Sequence, residues 1–159
     1  MKVGAIAFLE TTKGIEICLV SSRRHDGTQT LPKGYCKEHE NLPKAALREL
    51  FEEAGILGKV NYKSRPILYS SKNNAADEVL YFFVETIKIA SDWPEKKQRN
   101  RIFVTLEEAV ELKTSKAARK ILKELALYQS LEETASDSEA GLVQTFYPRL
   151  KNLFKSFAA

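Results

Sequence analysis

The segment that most constrains this chain is residues 34–56, where a glycine-bearing loop leads into one short helix rich in carboxylates. Asn41 is a good N-cap residue, and Pro43 is tolerated in the first helical turn, where its missing N–H has no helical partner. The residues that follow are mostly strong helix formers until Gly55, which is expected to end the helix. The pattern therefore predicts a helix from about Asn41 to Gly55.

Three carboxylates are crowded on this predicted helix. Glu49, Glu52 and Glu53 are spaced i, i+3 and i+4, so their side chains are neighbours on the helix surface. No Lys or Arg lies one turn after Glu49 or Glu52 to offset the repulsion. A hard divalent cation such as Mg²⁺ takes oxygen ligands and suits this cluster. The alternative is a solvated acidic face with no bound ion.

The residues around these carboxylates resemble the Nudix hydrolase signature, G-x5-E-x7-R-E-U-x-E-E-x-G-U, where U is aliphatic. Gly34, Glu40, Arg48 and the run from Glu49 to Ile56 match it at every defined position. The resemblance implies a hydrolase that cleaves a diphosphate by water attack with bound Mg²⁺ or Mn²⁺. On that resemblance, the metal ligands are Glu49, Glu53, Glu52 and the backbone carbonyl of Gly34.

The same resemblance assigns the catalytic side chains. Glu52 is a metal ligand or the proton acceptor, Arg48 orients a glutamate by an ion pair, and Glu40 supports the site. The chemistry is consistent, because a phosphoanhydride carries negative charges that repel a nucleophile unless metal and cationic groups neutralise them.

Two basic segments, residues 21–24 and residues 96–101, are candidates for binding the phosphates. Arginine can clamp a phosphate with two parallel hydrogen bonds, and the alternative for each segment is a solvated basic turn. A solitary Trp93 beside the second segment is either a base-stacking residue or part of the core. The candidate substrate-binding residues are Ser22, Arg23, Arg24, Lys33, Lys97 and Arg101.

The rest of the chain predicts an α/β fold. Residues 3–9 and 15–21 read as a β-hairpin, residues 79–84 as a buried central strand, and Thr105 with Glu108 as a capping box. A loop is expected over residues 72–78, and helices over about 115–127 and 142–157. With the resemblance, this implies a Nudix-type α/β/α sandwich with a mixed β-sheet and extra C-terminal helices. Residues 1–126 would form the Nudix domain, and residues 127–159 a helical extension packed on it.

Charge and composition limit the partners. The net charge of +4 suits a small polyanionic substrate, but so small a basic excess argues against long nucleic acid as a partner. The apolar run at the N-terminus is too short for a signal or a membrane span, and the two cysteines form no metal-ligand spacing. We therefore expect a cytoplasmic protein with no membrane partner, either a monomer or a homodimer.

The function predicted from the sequence is Mg²⁺-dependent cleavage of a phosphoanhydride in a nucleoside-linked polyphosphate, either a dinucleoside polyphosphate or a nucleoside triphosphate. The segments VSSRRHD and W…KK-R-R-F-V-LEEA look like those of diadenosine polyphosphate and diphosphoinositol polyphosphate hydrolases. A diphosphoinositol polyphosphate phosphohydrolase is therefore one alternative. The Leu31-Pro32-Lys33-Gly34 form looks more like that of dinucleoside polyphosphate hydrolases, and this resemblance implies the nucleoside substrates. A catalytically silent Nudix module that binds a nucleotide or a protein partner and has a regulatory role is the alternative of a different class.

Overall fold

The computed structural model describes residues 1–71 and 74–136. Over these residues the chain forms eight strands and three helices, which is an α/β arrangement. The elements are β1 (Lys2–Thr11), β2 (Gly14–Ser21), β3 (Gln29–Thr30), β4 (Lys33–Tyr35), α1 (Leu42–Ala54), β5 (Ile56–Val60), β6 (Ile67–Ser71), β7 (Asn74–Ile89), β8 (Arg101–Thr105), α2 (Leu106–Glu111) and α3 (Lys116–Ser136).

All eight strands belong to one mixed sheet, with β1 and β7 at its centre. The two strands run parallel, from the pair Lys2 and Val79 to the pair Phe8 and Glu85. On its other side β1 pairs antiparallel with β2 and with the short strand β4. β7 continues the sheet outward through β5 and β6, and β2 continues it through β3 and β8.

The sheet is covered on both faces, as its alternating buried residues require. Ile6 and Phe8 of β1 face a core that also contains buried residues of α2 and α3. Ala5 and Ala7, one residue out of step with them, face the core under α1. The predicted α/β/α sandwich with a mixed sheet is therefore confirmed.

Helix α1 has the boundaries that its sequence predicts. Asn41 is the N-cap and its side chain accepts a hydrogen bond from the Lys44 N–H, while Gly55 ends the helix in the left-handed region at φ 64°. Ala45 and Ala46 of α1 are fully buried in the same core as Ala5 and Ala7. Small side chains on both sides let the helix lie close to the sheet, which fixes the position of its polar face.

Several further predictions from the sequence are confirmed, and others are corrected. The β1–β2 hairpin, the buried strand at residues 79–84 and the Thr105–Glu108 capping box are all present. β7 begins at Asn74, so the strand includes most of the loop predicted for residues 72–78. The strands β3 and β4 lie in a segment whose sequence indicates only a loop.

The C-terminal region is only partly described. α3 extends to Ser136, beyond the predicted end at 127, and it crosses the proposed domain boundary at 126 without a break. The helix predicted for residues 142–157 lies outside the described residues, and the packing of the extension stays a prediction. In the part of the chain that the structure describes, none of the helices combines the length and the apolar character that a membrane crossing requires.

Candidate active site

Arg48 organises the polar face of α1. Its guanidinium donates to both carboxylate oxygens of Glu40, at 2.8 and 2.9 Å, and to Glu49 Oε1 at 2.7 Å. It also reaches Glu52 Oε2 at 3.1 Å and the Tyr35 carbonyl oxygen at 2.9 Å. One arginine thus ties the loop before the helix to two of the three crowded carboxylates. No cation lies one turn after Glu49 or Glu52, as the sequence shows, but Arg48, the residue before Glu49, offsets their repulsion.

Glu40 acts as the support that its position in the signature implies. Besides Arg48, the Lys37 N–H donates to Glu40 Oε2 at 3.0 Å. The hydrogen bonds from Arg48 and from the Lys37 N–H lower the pKa of Glu40 to about 2. Glu40 is therefore ionised throughout the neutral pH range, and it holds Arg48 in place from the loop side.

Glu53 lies on the buried side of the helix, separate from the Arg48 cluster. Its carboxylate accepts a hydrogen bond from the Lys33 N–H at 3.1 Å and forms an ion pair with Arg99. Only 4% of the residue is exposed. Burial raises the pKa of Glu53 to about 7, although the positive charges of Arg99 and Lys33 oppose this shift. A divalent cation would favour the ionised carboxylate.

Arg99 is the residue at the site that the sequence argument missed. Its side chain is 8% exposed and reaches Glu53, Glu95 Oε2 at 2.6 Å and the Ser21 carbonyl oxygen at 2.8 Å. It therefore connects α1 to the end of β2 and to the loop before β8. Arg99 is one of several cations between residues 96 and 101, and the sequence pattern does not indicate which of them is buried.

Strand β4 supports both ends of the carboxylate row. A Cβ atom at Gly34 would collide with the carboxylate of Glu49, whereas the N–H of the adjacent Lys33 binds Glu53. Glu49 and Glu53 are one helical turn apart, so each contacts one of two consecutive residues of β4. The loop glycine of the signature is needed here because the carboxylate occupies the space of a side chain.

The donor set suits a hard divalent cation. Carboxylate oxygens from Glu49, Glu52 and Glu53 project from neighbouring positions of one helix, and such oxygens are the ligands that Mg²⁺ and Mn²⁺ take. Among the described residues, no three acidic, histidine or cysteine side chains are gathered closely enough to form a metal cage. The carboxylates are turned toward Arg48 and Arg99 instead.

The basic loop after β2 is held close to this site. The Ser22 hydroxyl accepts from the N–H groups of Arg24 and His25, each at 3.3 Å, so it stabilises the turn. Arg23 donates to Glu95 at 3.3 Å and to Gln98 at 3.0 Å, and its side chain is 52% exposed. Ser22 and Arg23 therefore have structural contacts of their own.

Lys33 lies within the field of several charges. Its ammonium group donates to Thr30 Oγ1 at 2.8 Å. Burial lowers the pKa of Lys33, Glu53 opposes this shift, and the nearby cations Arg99, Lys2 and Arg24 reinforce it. The predicted residues Lys33 and Arg24 thus belong to one electropositive region beside the carboxylate helix.

The second basic segment, residues 96–101, contacts the end of α1 through Arg101. Arg101 donates to the carbonyl oxygens of Ala54 and Ala90, and its guanidinium lies 4.4 Å from the ring centroid of Trp93. Trp93 packs against Gly55 at the end of α1. Arg101 and Trp93 both contact the end of α1, which fits the alternative that Trp93 is part of the core, and substrate binding by Arg101 stays a prediction. Lys97 is exposed to solvent.

Comparison with known proteins gives a consistent result. A family model described as the NUDIX domain matches residues 1–125. Nudix hydrolase 4 of Arabidopsis thaliana is 33% identical over 131 residues, which cover 82% of this chain and 61% of that protein. Diphosphoinositol polyphosphate phosphohydrolase 3-alpha of Mus musculus is 31% identical over 100 residues, or 61% of this chain and 59% of that protein. The chain spans between 50% and 61% of the length of the first curated relatives that it matches.

The fold is also found in solved structures. The crystal structure of a C. elegans Ap4A hydrolase binary complex superposes with a TM-score of 0.61 at 18% identity, covering 82% of this chain and 98% of that one. At this identity the likeness shows the fold alone. The family model, by contrast, covers the sheet, the carboxylate helix and β4 together. This chain belongs to the Nudix family.

Proposed function

We propose that this protein is a Mg²⁺-dependent pyrophosphohydrolase that cleaves a phosphoanhydride bond in a nucleoside-linked polyphosphate. The observation that carries the proposal is the carboxylate row of α1, with Arg48 on one side of it and the cations Lys33 and Arg99 on the other. A hydrolase for a polyanion needs both anionic metal ligands and cationic phosphate ligands within one site.

In this proposal Glu49, Glu53 and the Gly34 carbonyl hold the metal, with Glu52 as a further ligand or as the proton acceptor. When bound, Mg²⁺ or Mn²⁺ would neutralise phosphate charge and acidify a water molecule. Arg48 keeps Glu49 and Glu52 oriented, and Glu40 fixes Arg48. Among Glu49, Glu52 and Glu53, Glu52 is the most accessible, with 34% of its side chain exposed. This exposure suits a group that exchanges protons with water.

The phosphates would contact the electropositive region formed by Lys33 and Arg24. Lys33 is half-buried and lies close enough to Glu53 for their charges to interact, so its ammonium group can neutralise an oxygen near the reacting phosphorus. Arg24 follows Ser22 in the loop that the Ser22 hydroxyl holds in place. Arg23 reaches a ligand only by leaving Glu95 and Gln98, and Lys97 contributes at most from the exposed surface.

One alternative substrate class is a diphosphoinositol polyphosphate. The similarity to the mouse protein of that name supports it. The reacting groups would be the same, since either substrate presents a phosphoanhydride, and only the groups that bind the rest of the substrate would differ.

The test is a hydrolysis assay with Mg²⁺, and with a chelator, on dinucleoside polyphosphates, nucleoside triphosphates and diphosphoinositol polyphosphates. We expect metal-dependent turnover that is greatest on a nucleoside-linked substrate. Glu52→Gln should lower kcat by about 10²- to 10⁴-fold, the range for a lost acid–base group, with the melting temperature nearly unchanged. The matched control is Glu38→Gln, since Glu38 lies in the loop before the helix with 89% of its side chain exposed. Equal rates for the two variants would contradict the role of Glu52.

A further inference from the structure

Tyr35 is an exposed aromatic residue whose backbone contacts the candidate active site. It follows Gly34 in β4, and 67% of the residue is exposed although its side chain is large and apolar. Its carbonyl oxygen accepts a hydrogen bond from Arg48 at 2.9 Å. The backbone of Tyr35 is therefore fixed to the same arginine that orders Glu49 and Glu52.

The alternation of side chains along β4 sets the direction of the tyrosine ring. Gly34 faces the Glu49 carboxylate, so Lys33 and Tyr35, on either side of it, project to the opposite face of the strand. Lys2 is the cross-strand partner of Tyr35, and its ammonium group lies 5.3 Å from the centroid of the Tyr35 ring. Lys33 and the Lys2–Tyr35 pair thus share one face.

The charge of the Lys33 ammonium group interacts with Glu53, Arg99 and Lys2, and Lys2 in turn contacts this ring. Arg99 and Lys33 bind Glu53 directly, through a side chain and a backbone N–H. Lys33 and Lys2 occupy the same face of neighbouring strands, two pairs apart in the β1–β4 register. A ligand whose phosphates lie along these cations would carry its uncharged end to Tyr35.

We propose that Tyr35 is a specificity-determining residue whose ring stacks on the nucleobase of the substrate. This inference rests on the proposed function, since it names the part of the substrate that lies outside the reacting phosphates. A nucleobase of any identity has a flat π face that stacks on an aromatic side chain, whereas an inositol ring has none. Tyr35 therefore favours nucleoside-linked substrates over diphosphoinositol polyphosphates.

Binding tests the inference without any turnover. In Tyr35→Trp, an introduced indole reports on stacking through its fluorescence, measured against the parent, whose only tryptophan is Trp93. With Mg²⁺ present, ADP should quench the fluorescence of this variant, and inorganic tripolyphosphate should not. The matched control is Tyr62→Trp, because Tyr62 is a tyrosine outside β4 that is 78% exposed. Equal responses of the two variants to ADP, or no response of either, would overturn the inference.

Kinetics gives an independent reading where the parent hydrolyses the substrates. Tyr35→Ala should raise the KM for a dinucleoside polyphosphate about 5- to 100-fold more than the KM for tripolyphosphate, the range that a lost base stack produces. Tyr35→Phe should restore the parental KM, because stacking needs the ring and not the hydroxyl, and Tyr62→Ala should match the parent. A uniform change for both substrates would overturn the role of Tyr35 while leaving the proposed hydrolysis intact. Absence of all turnover would contradict the proposed function, and the fluorescence result would still decide the role of Tyr35.

Discussion

At the scale of single residues, two arginines hold the acidic side chains of α1 in two separate groups. Arg48 contacts Glu40, Glu49 and Glu52, whereas Arg99 contacts the buried Glu53. The Arg48 group is half-buried, with 12–34% of each side chain exposed, so water still screens its ion pairs in part. The buried pair is different, since removing one partner leaves the other charge without compensation in a site shielded from water.

Burial of Glu53 predicts a pH dependence of stability. Its pKa is about 7 in the folded protein, against the ordinary value of 4.5, because burial disfavours the ionised form. Below pH 4.5 the group is protonated in both states, and between 4.5 and 7 the folded state binds more protons than the unfolded state. In the presence of a chelator, this group should therefore cost up to about 3 kcal/mol of unfolding free energy as the pH rises through that window.

Urea denaturation at about pH 5 and about pH 8 checks this. The control is Glu53→Gln, which has the same shape and does not titrate, and it should lack the part of the decrease that Glu53 causes. Added Mg²⁺ should reduce the decrease in the parent, because a cation stabilises the ionised carboxylate. Identical pH profiles for the parent and the variant would contradict the raised pKa.

At the scale of elements, the helix and the buried middle of the long strand were predictable, whereas the first residues of that strand and the short strands were not. The caps of α1 are encoded by local residue types at Asn41 and Gly55, and β7 by a continuous apolar run. β4 is only three residues long and forms because it pairs with β1, which is distant in sequence. No local pattern records such pairing, so the role of β4 beneath Glu49 and Glu53 appears only in three dimensions.

Some residues of the candidate active site were likewise predictable from the sequence, and others were not. Arg48 and Glu40 were assigned through the resemblance to the signature, and only the proximity of Glu49, Glu52 and Glu53 follows from their spacing along one helix. Arg99 was not predictable, because burial distinguishes it from the neighbouring cations Lys96, Lys97 and Arg101. The aromatic partner of Arg101 was visible in the sequence as Trp93, but its packing on Gly55 depends on how the loop folds back over α1.

The contact between α1 and β4 leaves no space for a methyl group at Gly34. We expect Gly34→Ala to displace the Glu49 carboxylate and to lower kcat/KM about 10- to 100-fold, with a loss of about 1–3 kcal/mol in stability from overpacking. The comparison is Gly14→Ala in the β1–β2 turn, where φ is 101° and the space that a Cβ would take has no other atom within 4 Å. That variant should lose stability through backbone strain and keep its activity. Equal activity losses in the two variants would contradict a specific role for Gly34.

At the scale of the whole molecule, Arg99 connects parts of the chain that are far apart in sequence. It joins Glu53 of α1 to the Ser21 carbonyl at the end of β2 and to Glu95 before β8. Its substitution should therefore affect global stability as well as the site. We expect Arg99→Met to lower the free energy of unfolding by about 3 kcal/mol, the lower end of the range for a broken buried pair.

The matched control is Arg23→Met. Arg23 binds the same Glu95, but its side chain is 52% exposed, so its loss should cost no more than about 1 kcal/mol. Urea denaturation of both variants measures the difference. Similar losses of unfolding free energy in the two variants would contradict the view that Arg99 joins α1 to the end of β2 and to the loop before β8.

The central pairing of β1 with β7 has a consequence for the order in which the protein is made. β1 is synthesised before its parallel partner, residues 79–85, and Arg99 follows later still. The residues of α1 are therefore synthesised before β7, which pairs with β1, and before Arg99, which binds Glu53. Until then, the backbone N–H and C=O groups of β1 on that side have no partner strand. The candidate active site is assembled only when the second half of the chain has emerged, so a truncated nascent chain displays the signature residues without the setting in which they work.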